Sequence, residues 1–347
     1  MKQAIYNRIV SGVALWLFTS ALLSAQTVLD YHEAVAEHPD WVQIPGALIR
    51  RDCVHEVPKD AKVVIGRGGE TTGDDLVFNG RLIAHYDPCP EAPVITRPQG
   101  HNIANAESNG PGNSGGYVPG TGNGWVEASQ WNVPLRAGDN IDYMGGSWTV
   151  PTNPSENGGL IYMFNGIEPA SEDRILQPVL QYGFSPAGGG NYWAIASWYV
   201  GPNGSGIAYH SPLEIVNPGD TILGYSQMIS SSGGNQIWQV LAWDLNTGFS
   251  SPLAISISGF RWTWAFAGVL EAYNVTSCNE FPNGILFDGV VLSFLPSIFQ
   301  NSLVDHGFPK FTSVSPQKWS AAYYWGLNGF PSCPYAVAPG NPSLLFP

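Results

Sequence analysis

From residue 125 onward, short runs rich in Val, Ile, Trp, Tyr and Phe are separated by clusters of Gly, Pro and Asn. "GGSWTVP" (145–151), "GLIYMFNGI" (159–167), "ILQPVLQYG" (175–183) and "YWAIASWYV" (192–200) open the series. "ILGYSQMI" (222–229), "QIWQVLAWDL" (236–245), "FRWTWAFAGVLEAYNV" (260–275) and "ILFDGVVLSF" (285–294) continue it. β-branched and aromatic side chains suit a pleated, half-buried surface, so these runs predict strands. No amphipathic helix of useful length interrupts them. The expected fold is therefore all-β, an antiparallel sandwich or barrel, with most of its aromatic rings in the core or lining a groove.

The chain before residue 125 divides into three. In residues 1–25, Lys2 and Arg8 precede "VALWLFTSALL" (13–23), an apolar stretch too short to span a bilayer, and "LSA" (23–25) supplies small residues for cleavage. That is the pattern of a secretory signal peptide. Residues 26–106 form a second block, with a short helix expected over 28–38 and strands over 61–66 and 75–87. Asn79-Gly80 within the latter segment predicts a two-residue hairpin turn. Residues 107–124, "ESNGPGNSGGYVPGTGNG", have no periodicity and predict a flexible linker. A block placed ahead of such a linker suits a propeptide or a permanent accessory domain, and the main domain spans 125–347.

Charge narrows the partners. The whole chain carries −13, and residues 119–347 hold five Lys and Arg against fourteen Asp and Glu, a net of −9. So little positive charge cannot neutralise phosphates, which argues against nucleic acid and anionic membranes. The expected mature protein is exported, away from the membrane, and monomeric. Four cysteines suit that compartment. Cys53 and Cys89 lie early and Cys278 and Cys333 late, which favours the pairings Cys53–Cys89 and Cys278–Cys333. None forms a CxxC or a Cys/His cluster, so no metal site or thiol nucleophile is expected.

The usual nucleophile patterns give no support: H-E-x-x-H is missing, and G-x-S-x-G occurs once, at 112–116, inside the linker. "PGNSGG" (111–116) has Asn where a serine protease has Asp, and it lies in the linker. Only His210 and His306 fall within residues 125–347. Carboxylates and amides remain. Glu271 stands in the middle of an apolar strand, where an acid needs a partner or a task. Strict alternation places Ala265, Ala267, Val269, Glu271 and Tyr273 on one face, with Trp262, Trp264, Phe266 and Leu270 on the other. The small residues leading to the acid suggest a groove floor, the alternative being a wet rim. In "ILQPVLQYG", Gln177, Val179, Gln181 and Gly183 share one face. Two glutamines on one aliphatic strand require partners or a ligand. Pro178 lacks a ladder donor, which predicts an edge or broken strand there.

These segments resemble, in order, the glutamic peptidases of the eqolisin family. "VLQYGFSPAGGGNY" (179–192) is similar to the family's I-L-Q-x-G segment, and "AGVLEAYNV" (267–275) to the strand bearing its glutamate. "SWTVPTNP" (147–154), "FNGIEP" (164–169), "YWAIASWYV", "NPGDTI" (217–222) and "DLNTG" (244–248) match further family elements, so the resemblance covers roughly residues 125–295. It implies a concanavalin A-like sandwich of two curved sheets with the active site on a concave face. It also implies a catalytic pair of Glu271 and Gln181, with Gln177 as the rival glutamine, and a substrate-binding set of Phe164, Glu168, Gln177 and Trp198. No cofactor or metal is implied, and the partners are polypeptide substrates cut at acid pH. The family's acidic positions in the 192–200 strand are Trp193 and Ser197 here, and its tryptophan is Phe164. The competing expectation is a non-catalytic or carbohydrate-directed lectin-like sandwich, with Trp193, Trp198, Trp262 and Trp264 as sugar platforms.

Overall fold

A computed structural model of the chain describes residues 35–66, 73–91, 93–95 and 124–295, the last with breaks at 134, 136–137, 202–205, 276–277, 283–284 and 286. The expected signal peptide, nearly all of the expected linker, and the Cys278–Cys333 pairing lie outside the described residues. Of the helix expected over 28–38, residues 35–38 are described, and 35–37 are helical.

The N-terminal block forms β1 (Trp41–Ile44), β2 (Ala47–Arg50), β3 (Val54–Glu56), β4 (Ala61–Val64), β5 (Asp74–Phe78), β6 (Arg81–Tyr86) and β7 (Val94–Ile95). There follow β8 (Gly124–Asn132), β9 (Asn140–Thr149), β10 (Leu160–Pro169), β11 (Ile175–Ser185), β12 (Gly188–Val200) and β13 (Ala208–His210). The last are β14 (Glu214–Ile215), β15 (Thr221–Ser232), β16 (Asn235–Asp244), β17 (Ser250–Ser258), β18 (Trp262–Tyr273) and β19 (Phe287–Leu295). All eight strands expected after residue 125 are present, and Asn79 and Gly80 make the expected turn with φ of 47° and 74°.

Two eight-stranded sheets form the sandwich. The first runs β3-β13-β12-β11-β10-β18-β8, with β14 on β12; the second runs β19-β9-β15-β16-β17-β4-β5-β6. The N-terminal strands are thus woven into both sheets, β3 parallel to β13 and β4 parallel to β17. A third, small sheet of order β1-β2-β7 covers the outer face of the first.

Two apolar cores follow from these three layers. Between the two large sheets lie Met144, Trp148, Ile161, Met163, Leu180, Trp193, Trp238 and Trp262, among others. The outer face of the first sheet buries Trp125, Tyr162, Phe164, Val179, Trp198, Trp264 and Tyr273 against Trp41, Ile44, Ala47 and Leu48 of the small sheet. Each fully buried aliphatic or aromatic side chain contributes roughly 1.5–3 kcal/mol, so the cover over the first sheet is an integral layer.

Strict alternation fails in β18. The pairing slips between Phe164 and Gly166 of β10 and between Phe266 and Gly268 of β18. Both shifts report one extra residue in β18 between Phe266 and Val269, and such a bulge reverses the side-chain phase. Trp264 and Phe266 therefore join Val269 and Tyr273 on the outer face, while Ala265, Ala267, Leu270 and Ala272 face the other sheet. The alanines expected to leave room above Glu271 do not lie there. Pro178 also differs from expectation, since β11 is central, between β10 and β12. Its missing N–H falls where the β10 ladder is interrupted, between the pairs Phe164–Val179 and Ile167–Leu176, and its β12 side stays in register with Ser197.

A disulfide joins Cys53, just after β2, to Cys89, just before β7. Closing a loop of 36 residues restricts the unfolded chain by about 3–4 kcal/mol in the entropy model. Replacing both cysteines by serine should lower the thermal midpoint by several degrees, checked by calorimetry. Asp142 of β9 accepts a 2.6 Å bond from Ser293 of β19. Burial pushes its carboxyl pKa up, and the serine only partly offsets this. A raised folded pKa gives stability that is present below the unfolded value near pH 4 and is lost as pH rises through the folded value. Asp142→Asn should therefore raise the melting temperature at neutral pH and change it little near pH 3.

Candidate active site

The pairing of three central strands sets one polar row. Gln181 of β11 pairs with Tyr162 of β10, and Tyr162 pairs with Glu271 of β18. All three are buried, and Tyr162 and Glu271 lie beneath the small sheet. The β1–β2 hairpin reaches this row with its turn. Ile44 pairs with Ala47, leaving Pro45 and Gly46 as a two-residue turn. Gly46 has φ 89°, a left-handed conformation that glycine adopts without a steric penalty.

The Gly46 N–H donates to both oxygens of Glu271, at 2.8 Å to Oε1 and 3.0 Å to Oε2. The Tyr273 hydroxyl donates to Oε1 as well, and lies 3.3 Å from the Ile44 carbonyl oxygen. The Tyr162 hydroxyl donates to the Gln43 carbonyl at 3.1 Å. Burial raises the pKa of Tyr162 well above the usual phenol range, and the Glu271 carboxylate raises it further. Tyr162 therefore stays a protonated donor throughout the physiological range.

The other side of the same turn meets Gln177. Its Nε2 donates to the Pro45 carbonyl oxygen at 3.0 Å, while its Oε1, fully buried, makes no hydrogen bond among the described residues. A trans peptide directs its C=O and N–H to opposite sides, and no cis peptide occurs in the described chain. The single Pro45–Gly46 peptide is thus flanked by Gln177 at its oxygen and Glu271 at its nitrogen.

Gln181 is engaged differently. Its Nε2 donates to the carbonyls of Gly188 at 3.0 Å and Gly183 at 3.3 Å, and its Oε1 accepts from Ser185 at 2.9 Å. These partners belong to the β11–β12 turn. A Cβ on Gly189 would come within 2.5 Å of the Gln181 amide, so that turn approaches the glutamine closely only because the position is glycine.

The remaining expected residues sit on the same covered face. Phe164 packs against Trp125, ring centroids 5.7 Å apart, and Trp198 lies 4.8 Å from His210. Glu168 is buried in β10, opposite Trp264. Trp193 and Ser197 lie on the inter-sheet side of β12 rather than beside Glu271. There Ser197 donates to the Ser251 carbonyl and accepts from the Ala242 N–H. The four tryptophans considered as sugar platforms are all buried, Trp193 and Trp262 between the sheets and Trp198 and Trp264 under the small sheet.

Sequence reading did not single out Tyr162, Tyr273, Pro45 or Gly46. "WVQIPGALIR" (41–50) carried a signal, since Pro-Gly between two apolar pairs marks a turn joining short strands. Among the described residues no group of three or more His, Cys, Asp or Glu side chains gathers to hold a metal ion. Nor is any described helix long and apolar enough to cross a membrane.

No family model matches the chain, and no curated protein matches it. Among solved structures, the chain is similar to scytalido-glutamic peptidase bound to a peptide-based transition-state analogue, at 17% identity and a TM-score of 0.32. The alignment covers 52% of this chain and 76% of that one. It is also similar to SCP-B, a member of the eqolisin family in complex with the tripeptide Ala-Ile-His, at 18% identity and a TM-score of 0.30. That alignment covers 52% of this chain and 76% of the other.

Proposed function

We propose that the chain is an exported peptide hydrolase in which Glu271 is the general base and a β11 glutamine amide stabilises the oxyanion. One observation carries the reading: the Pro45–Gly46 peptide lies between the Gln177 amide and the Glu271 carboxylate. Hydrolysis needs a donor at the carbonyl oxygen, where negative charge develops, and a carboxyl group able to protonate the departing nitrogen. Those two groups flank this peptide at those two atoms.

In the proposed reaction, ionised Glu271 takes a proton from water, and the water oxygen bonds to the substrate carbonyl carbon. The electron pair of the carbonyl moves onto its oxygen, which accepts a bond from the glutamine Nε2–H. Collapse of the intermediate breaks the C–N bond, and the Glu271 proton passes to the amine. Tyr273 donates to the carboxylate and holds its orientation, with Tyr162 beside it on the neighbouring strand. A neutral amide suits the second position because it leaves the carboxylate as the group that titrates.

Gln177 fits the oxyanion role because its amide already addresses a peptide oxygen. Gln181 is the second reading, supported by its row with Tyr162 and Glu271, but its amide is committed to the β11–β12 turn. The Cys53–Cys89 disulfide and the pattern of residues 1–25 support export. Of the two expectations for residues 26–106, a permanent accessory block is the one proposed, since β3 and β4 to β6 complete the two large sheets. Incubation with an unstructured protein between about pH 2 and about pH 7, with a chelator present, tests the function. Cleavage that survives the chelator is expected; polysaccharide binding without cleavage would favour the lectin-like alternative.

A further inference from the structure

The small sheet that covers the proposed active site is itself part of the chain, and its turn occupies the two groups that would do the chemistry. We propose that the β1–β2 hairpin is a substrate-mimicking inhibitor held in cis, so that the chain with this hairpin seated is latent. This rests on the reading of Glu271 and Gln177 as the reacting pair.

Three observations support it. First, Gly46 donates one N–H to both Glu271 oxygens, so the carboxylate is turned toward a backbone amide. Second, the hairpin addresses the polar row mainly through its backbone. The carbonyls of Gln43, Ile44 and Pro45 meet Tyr162, Tyr273 and Gln177 in turn. A surface that recognises successive main-chain groups reads a polypeptide irrespective of its side chains, as a peptidase cleft must. Third, apolar side chains fill the space around that backbone. Ile44, Ala47 and Leu48 are completely buried on the aromatic face that includes Phe164, Val179 and Trp198.

The anchor is placed at the base of the hairpin and not at its tip. Cys53 is bonded to Cys89, Arg50 pairs with Glu91 at 2.9 Å, and β7 pairs with β2. Tethering of this kind raises the effective concentration of the turn at the site, so modest contacts suffice to exclude a substrate in solution. The Pro-Gly order and the positive φ of Gly46 fit a type II turn, which splays the flanking strands of a hairpin. Contacts at the tip therefore help to hold a turn that strand pairing alone would not choose. A mimic of this form is released when the hairpin leaves the face, without any change in the sheets beneath.

The test uses the full chain with Ile44→Glu and Ala47→Glu together, which place two charges where both side chains are now completely buried. Cleavage of an unstructured protein should rise at least tenfold over the unmodified chain. A synthetic peptide of residues 41–50 should bind the variant, slow its cleavage and leave the unmodified chain untouched. If the unmodified chain cleaves as fast as the variant and the peptide slows neither, the hairpin is not an inhibitor. If neither chain cleaves but the peptide binds only the variant, the hairpin seat stands and the peptidase reading fails. Should the variant not fold, hydrogen exchange of the unmodified chain decides. The Gly46 amide should exchange as slowly as the amides of β10 and β11, and rapid exchange there in a folded chain would overturn the proposal.

Discussion

Glu271→Gln, placed in a chain whose hairpin has been unseated, should lower peptide cleavage by about 10⁴-fold or more with the fold intact. The substitution keeps the shape of the side chain and its ability to accept from Gly46 and Tyr273. It removes the one property the mechanism uses, a carboxylate that takes and returns a proton. Because Glu271 is buried beneath the small sheet, the melting temperature should change little or rise, since a buried charge is costly even when hydrogen-bonded. Cleavage kinetics with circular dichroism as the control read both effects. Activity within a few-fold of the parent would mean that Glu271 is only a buried acceptor for the hairpin.

The second large effect concerns the glutamines. Gln177→Leu should reduce kcat by about 10²–10³-fold with a smaller change in KM, the pattern of a donor that strengthens as the oxyanion forms. Its buried Oε1 makes no hydrogen bond among the described residues, so the apolar replacement strands no partner except the Pro45 carbonyl of the seated hairpin. Gln181→Leu should act on stability first. It removes the donor to the Gly183 and Gly188 carbonyls and the acceptor of Ser185, although Ser185 and Gly188 keep a bond to each other, so a loss of roughly 1–3 kcal/mol is expected. Steady-state kinetics beside thermal unfolding separates the roles. The reverse outcome, a kcat loss at Gln181 and a stability loss at Gln177, would exchange the two glutamines.

Much of the sandwich was legible because its strands are read one at a time. Alternation and β-propensity marked β9 to β12, β15, β16, β18 and β19 without reference to any partner, and Asn79-Gly80 marked its own turn. Features that depend on two distant segments were not legible. β3 and β4 join the large sheets by parallel pairing with β13 and β17, contacts that no local pattern announces. The bulge at Ala267 and Gly268 reversed the faces of Trp264, Ala265, Phe266 and Ala267 relative to Glu271, and a period-2 rule has no term for an inserted residue. Glu271 and both glutamines could be found as anomalies, since buried polar groups on apolar strands are uncommon. Their cover could not, because the turn at Pro45 and Gly46 lies 225 positions from Glu271 in the chain.

The most direct test of the central claim is an isotope-edited NMR comparison at the Pro45–Gly46 peptide, labelled at the Pro45 carbonyl carbon and the Gly46 amide. In the unmodified chain the Gly46 amide proton should resonate far downfield, as expected of a donor to a carboxylate. Glu271→Gln should move it upfield and leave the Pro45 carbonyl nearly unchanged, while Gln177→Leu should shift the carbonyl and leave the amide nearly unchanged. That crossed response is the expected result for one peptide flanked by the two side chains. Shifts that stay the same in both variants would show that Glu271 and Gln177 do not converge on this peptide, and would contradict the assignment of the pair.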